Sequence, residues 1–360
     1  MLALGAALLQ RGHDVLILSQ PSVRSRAEAS GCAFVAFSKL PDYEPRTALE
    51  DQLALTARAL TGKAIGDDVV AVAKRHRVDV IVVDANLASA LAAAETLGQP
   101  SVVLLHSMYT TFVDTWFADL WPFLAPAIDT TRTAYGLPSV HDWPSVFAPH
   151  DRLLAVVPAP FDAPVADAPR AMRHFGFLVP RMQASAASAD FPRGDDPTVL
   201  VGLSTTYQHQ EAVMATILEA LGDLAVRALV TTAGQVDIDL RPQPPNVTIA
   251  DVVPHGLVLD RTDVMVTHAG LGSVASALTC GVPLVCVPLG RDQPLNAQRV
   301  AALGAGVALS GGPTAASVAK GIEQVLNVAS YRESARALAG ISDEAGGAAA
   351  AAADLEALLD

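Results

Sequence analysis

The sequence predicts an α/β protein made of two doubly wound, mostly parallel sheets, and three observations carry that expectation. Short runs rich in leucine and β-branched residues alternate with longer Ala/Leu-rich stretches at helical spacing. The short runs are almost continuously hydrophobic, as strands covered by helices on both faces must be. The 360 residues also exceed what one ordinary core fills, which divides the chain into domains of roughly 150 to 200 residues.

The opening MLALGAALLQ reads as a helix of the fold. No positive charge precedes it and the strand-like VLILS follows, which argues against a removable leader. Strands are expected at 15–19, 33–37, 79–84, 101–106 and 153–157. The stretch VPRMQASAASADFPRGDDP (179–197) has no period and is rich in Ala, Ser, Pro and Asp, so it reads as a linker. Beyond it, TVLVGLS (198–204), RALVTT (227–232), VTIADV (247–252), VMVT (264–267) and PLVCVP (283–288) repeat the strand pattern. The tail favours helix, with a break at Gly346–Gly347. The expected organisation is a first domain over 1–179, a linker over 180–196, a second domain over 197–330 and a C-terminal helix over 331–360.

Composition narrows the function classes. The formal net charge is −13 and no dense Lys/Arg run occurs, so no surface suits the phosphates of a nucleic acid. Cys32, Cys280 and Cys286 are an odd count, two of them within an apolar stretch, which argues against a disulfide framework and for a reducing cytoplasm. No apolar run approaches the roughly 20 residues that span a bilayer.

The stretch THAGLGSVAS (267–276) joins a strand-like run to a helix-favouring one. The first N–H groups of a helix lack partners and the helix dipole makes that end electropositive, so an anion belongs there. Gly270 and Gly272 keep side chains away from such an anion, while Ser273 and His268 add donors, and together they read as a phosphate cradle. Spacing alone leaves two other readings open. The glycines would also serve a tight turn. GLGSVA also fits the dinucleotide pattern G-x-G-x-x-A, with Asp292 downstream as the acidic residue, which would make the chain an NAD-dependent oxidoreductase. Against this, Asp292 lies past Pro288 in the loop GRDQPLNAQ instead of ending the next strand. That loop belongs beside the cradle at the carboxyl edge of the sheet, where open α/β folds bind ligands. Asp292, Gln293 and Asn296 suit the vicinal hydroxyls of a sugar, although a solvated loop has the same composition.

The run from Val252 to Leu309, with VVPHG at its start and GRDQPLNAQ within it, resembles the nucleotide-sugar signature of family 1 glycosyltransferases. That group contains plant secondary-product enzymes and bacterial macrolide and antibiotic glycosyltransferases. The resemblance implies a GT-B fold, with two Rossmann-like domains that bind acceptor and donor respectively. It implies that His268, Gly270, Gly272 and Ser273 contact the donor diphosphate, that Asp292 and Gln293 contact sugar hydroxyls, and that Ser204 and Thr205 line the nucleotide site. Val252 stands where many members stack a tryptophan on uracil, Ser276 where plant members place a ribose-binding glutamate, and His255 where a glutamine contacts the base. The donor is accordingly a UDP- or a dTDP-sugar. An exposed loop histidine is the plainer reading of His255.

Inverting transfer needs a base for the acceptor hydroxyl and a site for the departing diphosphate. The resemblance places the base on a histidine in the loop after a first strand, ahead of a helix matching MLALGAALLQRGHDV. Met1 aligns inside the usual sequence, so this first N-terminal strand is expected to be missing. Either the natural protein begins farther upstream, which the unpaired edges of a sheet without its first strand favour, or the chain is complete and catalytically impaired. His13 reads as structural. The aspartate that orients the base carries onto Asp84, although an aspartate ending a strand also serves as a cap or turn former. His106, ending SVVLLH, is the candidate substitute base, with bonding to loop backbone as its plainer role.

The segment from Met108 to Phe147 holds half of the chain's aromatics and all three tryptophans. Tyr109, Phe112, Trp116 and Trp121 are expected to line an apolar acceptor pocket, with packing between local helices as the alternative. Asp237 and Asp239 form a D-x-D in a Pro-rich loop that reads as a solvated turn, and no cysteine–histidine cluster has zinc spacing. The expected activity is inverting, metal-independent transfer of a hexose from a UDP- or dTDP-sugar to a hydroxyl of a hydrophobic small molecule, with no cofactor beyond the nucleotide-sugar co-substrate. A nucleotide-sugar-binding auxiliary protein that lacks the base is the alternative. An auxiliary partner or a homodimer is left open.

Overall fold

The computed structural model describes residues 1–39, 51, 57–162, 165, 168–179, 190–206, 208–236 and 243–359. Residues 180–189 of the expected linker and the Asp237–Asp239 pair lie outside them. The chain forms two compact units, Met1–Leu178 with Glu344–Asp360, and Val179–Asp343.

In the first unit β1 (Leu16–Ser19) pairs in parallel with β2 (Ala33–Ala36). A separate parallel sheet runs β3 (Ile81–Asp84), β4 (Ser101–Leu105), β5 (Arg152–Ala155), β6 (Met172–His174) in that order. The sheet read as continuous from the sequence is therefore divided: among the described strands β1 pairs only with β2 and β3 only with β4. Strand β4 is buried at every position because both of its faces are covered. Val103 and Leu105 enter one core with Leu91 and Ile128, while Val102 and Leu104 enter another with Leu4, Ala351 and Leu355. That second core joins the helix Leu2–Gln10 to the tail helix Gly347–Glu356, whose alanines allow close approach. Arg11 Nε donates to Glu356 Oε1 at 2.8 Å, and His13 Nε2 lies 2.6 Å from the same oxygen, so His13 holds the tail.

In the second unit β7 (Thr198–Gly202), β8 (Arg227–Thr231), β9 (Val247–Ala250), β10 (Val264–Thr267), β11 (Leu284–Cys286) and β12 (Gly306–Ala308) form one parallel sheet. Its order is β12-β11-β10-β7-β8-β9. The chain enters at β7, builds outward to β9, then crosses back to β10 on the other side of β7 and builds outward again. Such a reversal opens a crevice at the carboxyl ends of the two strands that flank it. Val199 and Val201 of β7 pack with Ile217 of one covering helix and Ile322 of another, which keeps the sheet rigid beneath the crevice.

No helix among the described residues is long and apolar enough to cross a membrane. Among the same residues no His, Cys, Asp and Glu side chains cluster as a metal site would.

Candidate functional site

The loops after β11, β10, β7 and β8 lie side by side at the carboxyl edge of the second unit's sheet. Each holds one non-glycine residue with left-handed backbone: Arg291 (φ 59°), Ala269 (φ 64°), His209 (φ 53°) and Ala233 (φ 51°). Each such residue costs about 1 to 2 kcal/mol. Strain concentrated in adjacent loops marks a surface shaped for a ligand.

The helix Leu271–Thr279 begins at Gly270 with no side-chain cap. The N–H groups of Ser273 and Val274 turn back to the Gly270 carbonyl at 3.0 and 3.1 Å. Those of Leu271 and Gly272 have no backbone partner among the described residues, so the helix start keeps donors for an anion. The two glycines do different work. A Cβ at Gly272 would meet nothing within 4 Å, whereas one at Gly270 would lie 2.5 Å from His268 Nε2. Gly270 therefore makes room for the His268 ring. His268 is 9% exposed; burial pushes its pKa down to about 4, against the raising effects of Asp292 and of its bond to the Gly202 carbonyl. It is a neutral ring at pH 7.

Gln293 is 2% exposed and shapes its own loop. Its Oε1 accepts from the N–H groups of Leu289 (2.8 Å) and Gly290 (3.2 Å), and its Nε2 donates to Gln208 Oε1 (3.0 Å). Gln208 Nε2 in turn donates to Ser204 Oγ at 2.6 Å, which ties the loop after β11 to the loop after β7. No role was read for Gln208 from the sequence, where only its place near Ser204 hinted at one. Asp292 is half-buried, and its Oδ2 accepts from Asn296 Nδ2 at 3.0 Å. Asn296 Nδ2 also reaches the Ala269 carbonyl, while its Oδ1 is buried without a partner among the described residues. Thr205 and Val252 are exposed, Val252 by 65%. His255 is not the exposed loop histidine of the plainer reading: it is half-buried, with Nε2 3.0 Å from Thr231 Oγ1, and burial lowers its pKa. The dinucleotide reading loses its acidic residue, because β11 ends at Cys286 and Asp292 precedes the next helix as its N-cap.

In the first unit the neighbouring strands β3 and β4 bring Asp84 and His106 together, with His106 Nδ1 3.0 Å from Asp84 Oδ1. Asn86 N–H donates to the same carboxylate oxygen at 3.0 Å, and Asn86 Nδ2 lies 3.1 Å from His106 Nε2. Burial would raise the Asp84 carboxyl, but the charge and hydrogen bond of His106, with the Asn86 N–H, hold it below the usual carboxylate range. The His106 ring meets Phe112 and Phe117 edge-on, each at 6.3 Å. Tyr109 and Phe112, each 1% exposed, belong to the core around Trp143, which corrects the expectation that they line an open pocket. Trp116 and Trp121 sit partly buried at the margin of that cluster. A further carboxylate, Asp162, accepts from the N–H groups of Tyr109 (2.7 Å) and Thr110 (3.3 Å) and fixes the loop after His106. Nothing in its sequence neighbourhood signals that role.

This geometry meets known proteins at two levels. Residues 215–356 match the family described as erythromycin biosynthesis protein CIII-like, C-terminal domain. Over 170 residues the chain is 35% identical to demethyllactenocin mycarosyltransferase of Streptomyces fradiae, covering 47% of this chain and 37% of that protein. In sequence the chain spans 37% to 43% of the length of the first curated relatives it matches. In structure it superposes on the glycosyltransferase of kitacinnamycin with a TM-score of 0.84 at 23% identity, covering 100% of this chain and 95% of that one. Spinosyn rhamnosyltransferase SpnG complexed with thymidine diphosphate gives a TM-score of 0.75 at 22% identity, with coverage of 99% and 95%. The architecture is that of the GT-B glycosyltransferases. Beyond the fold, the likeness in sequence is confined to parts of the chain: residues 215–356 for the CIII-like family, and 170 residues for the mycarosyltransferase.

Proposed function

We propose that this protein transfers a hexose, with inversion and without a metal ion, from a UDP- or dTDP-sugar to a hydroxyl of a hydrophobic small molecule. The observation that supports it most is the uncapped start of the helix Leu271–Thr279 at a topological switch point, with open space over Gly272. In this reading the diphosphate accepts hydrogen bonds from the N–H groups of Leu271 and Gly272 and from the Ser273 hydroxyl. Asp292 accepts from sugar hydroxyls. Gln293, Gln208 and Ser204 hold the two flanking loops in register, and Thr205, Val252 and His255 border the nucleoside. The thymidine diphosphate bound by SpnG supports a nucleoside diphosphate here as well.

The first unit supplies the proton acceptor. Ionised Asp84 takes the Nδ1–H of His106, which leaves the Nε2 lone pair as the base. As the acceptor oxygen attacks the anomeric carbon, its proton moves to Nε2, and the bond to the diphosphate breaks with its electron pair departing on phosphate. Asp84 then stabilises the imidazolium. Asn86 Nδ2, at 3.1 Å from Nε2, must yield to the acceptor hydroxyl. Trp116 and Trp121 are the aromatic surface proposed for the aglycone. Buried thiols at Cys32 and Cys286 suit a reducing cytoplasm.

Replacing His106 with Ala tests the base. Turnover should fall about 10²- to 10⁴-fold with nucleotide affinity unchanged. Replacing Ser273 with Ala should weaken UDP or thymidine diphosphate instead. Undiminished turnover in His106→Ala removes the base assignment, and wild-type protein that binds nucleotide sugar without product formation is the auxiliary protein.

A further inference from the structure

We propose that Arg291 is a diphosphate clamp that closes over the helix start from the neighbouring loop, a claim that rests on the donor site proposed above. Strand β10 lies between β11 and β7 in the sheet. Arg291 stands on the loop after β11, yet its Nη1 donates to Thr206 Oγ1, on the loop after β7, at 3.3 Å. A side chain that joins those two loops crosses the carboxyl end of β10, where the helix Leu271–Thr279 begins. The Arg291 charge also contributes to the depression of His268, the ring packed on Gly270, which places the guanidinium within Coulombic reach of the cradle. The partly buried Gln293–Gln208 bond, 3.0 Å long, spans the same two loops and fixes their separation.

Backbone strain points the same way. Arg291 adopts φ 59° directly after Gly290, and its side chain is exposed, so no core packing explains an arginine where a glycine would be relaxed. A planar guanidinium offers a fork of donors that matches two phosphate oxygens at once. The 3.3 Å bond to Thr206 is long for a charged donor and exchanges readily for a phosphate oxygen. As the glycosidic bond breaks, charge accumulates on the diphosphate, and a cation already above the helix N-terminus opposes it without reorganisation.

The test is calorimetric titration of the full chain with thymidine diphosphate and UDP, beside their monophosphates. Arg291→Gly removes the guanidinium and relaxes the backbone, so the thermal midpoint should not fall. Diphosphate affinity should drop about ten- to a hundredfold, with monophosphate affinity nearly unchanged and Arg291→Lys in between. Equal diphosphate affinity in Arg291→Gly and wild type overturns the clamp. So does an equal loss for monophosphate and diphosphate. Failure of the wild-type protein to bind either diphosphate overturns the donor site itself, and with it the clamp, and is distinguishable because no variant is then needed.

Discussion

Gly270 and Gly272 look interchangeable in the sequence, and the space around them separates them. At Gly270 a methyl group would collide with His268 Nε2 at 2.5 Å, so Gly270→Ala must displace a buried ring that also bonds the Gly202 carbonyl. We expect a loss of about 1 to 3 kcal/mol in denaturant unfolding, together with weaker nucleotide binding. At Gly272 nothing lies within 4 Å, so Gly272→Ala should leave stability within about 0.5 kcal/mol of wild type and weaken only the ligand. Equal behaviour of the two variants would remove the distinction. The strand–glycine–helix junction of this stretch was legible in the sequence, because an apolar run, two glycines and a helix-favouring run follow one another. Which glycine packs against a side chain was not legible, since the answer depends on a ring two residues earlier folding back. The same holds for Asp84 and His106: the sequence placed each at a strand end, but only the adjacency of β3 and β4 puts them 3.0 Å apart.

Elements were legible where hydrophobic runs were long and covered on both faces. Strands β4 and β7 are buried at all five positions, and both were expected close to their observed bounds. Strands β6 (MRH) and β12 (GVA) were not expected. Each is a three-residue edge strand with an exposed position, so neither carries a hydrophobic signal of its own. The tail helix shows a different limit: alanine predicts helix well but says nothing about where it docks. Its anchor is polar. The Glu356 pKa is held down to about 2, first by the Arg11 hydrogen bond and then by His13. A depressed carboxylate contributes stability that is present above its ordinary value of 4.5 and is lost as pH falls toward 2. Glu356→Gln should therefore speed amide exchange in residues 347–356 at pH 7, and by progressively less as pH falls from 4.5 toward 2. A variant whose tail exchanges like wild type at pH 7 would show that the Arg152–Asp354 pair and the apolar contacts of Ala351, Ala352 and Leu355 hold it without Glu356.

For the whole molecule, the division of the first unit's sheet was not legible, because it depends on contacts between distant segments. The two units do share one electrostatic property. Each buries a histidine whose pKa is pushed down to about 4, chiefly by desolvation: His150 in the first, with Nδ1 2.7 Å from Ser101 Oγ, and His268 in the second. In the unfolded chain these rings titrate at their ordinary value of 6.5. Between pH 6.5 and 4 the unfolded state thus binds more protons than the folded one, so stability falls as the solution is acidified, by at most about 3 kcal/mol for each ring. Because His150 and His268 lie in different units, their effects should separate. In hydrogen exchange followed from pH 7 to pH 4.5, His150→Gln should flatten the acid sensitivity of the first unit and leave that of the second, while thymidine diphosphate should protect only the second. Loss of acid sensitivity throughout the chain in His150→Gln would instead show that the two units unfold as one.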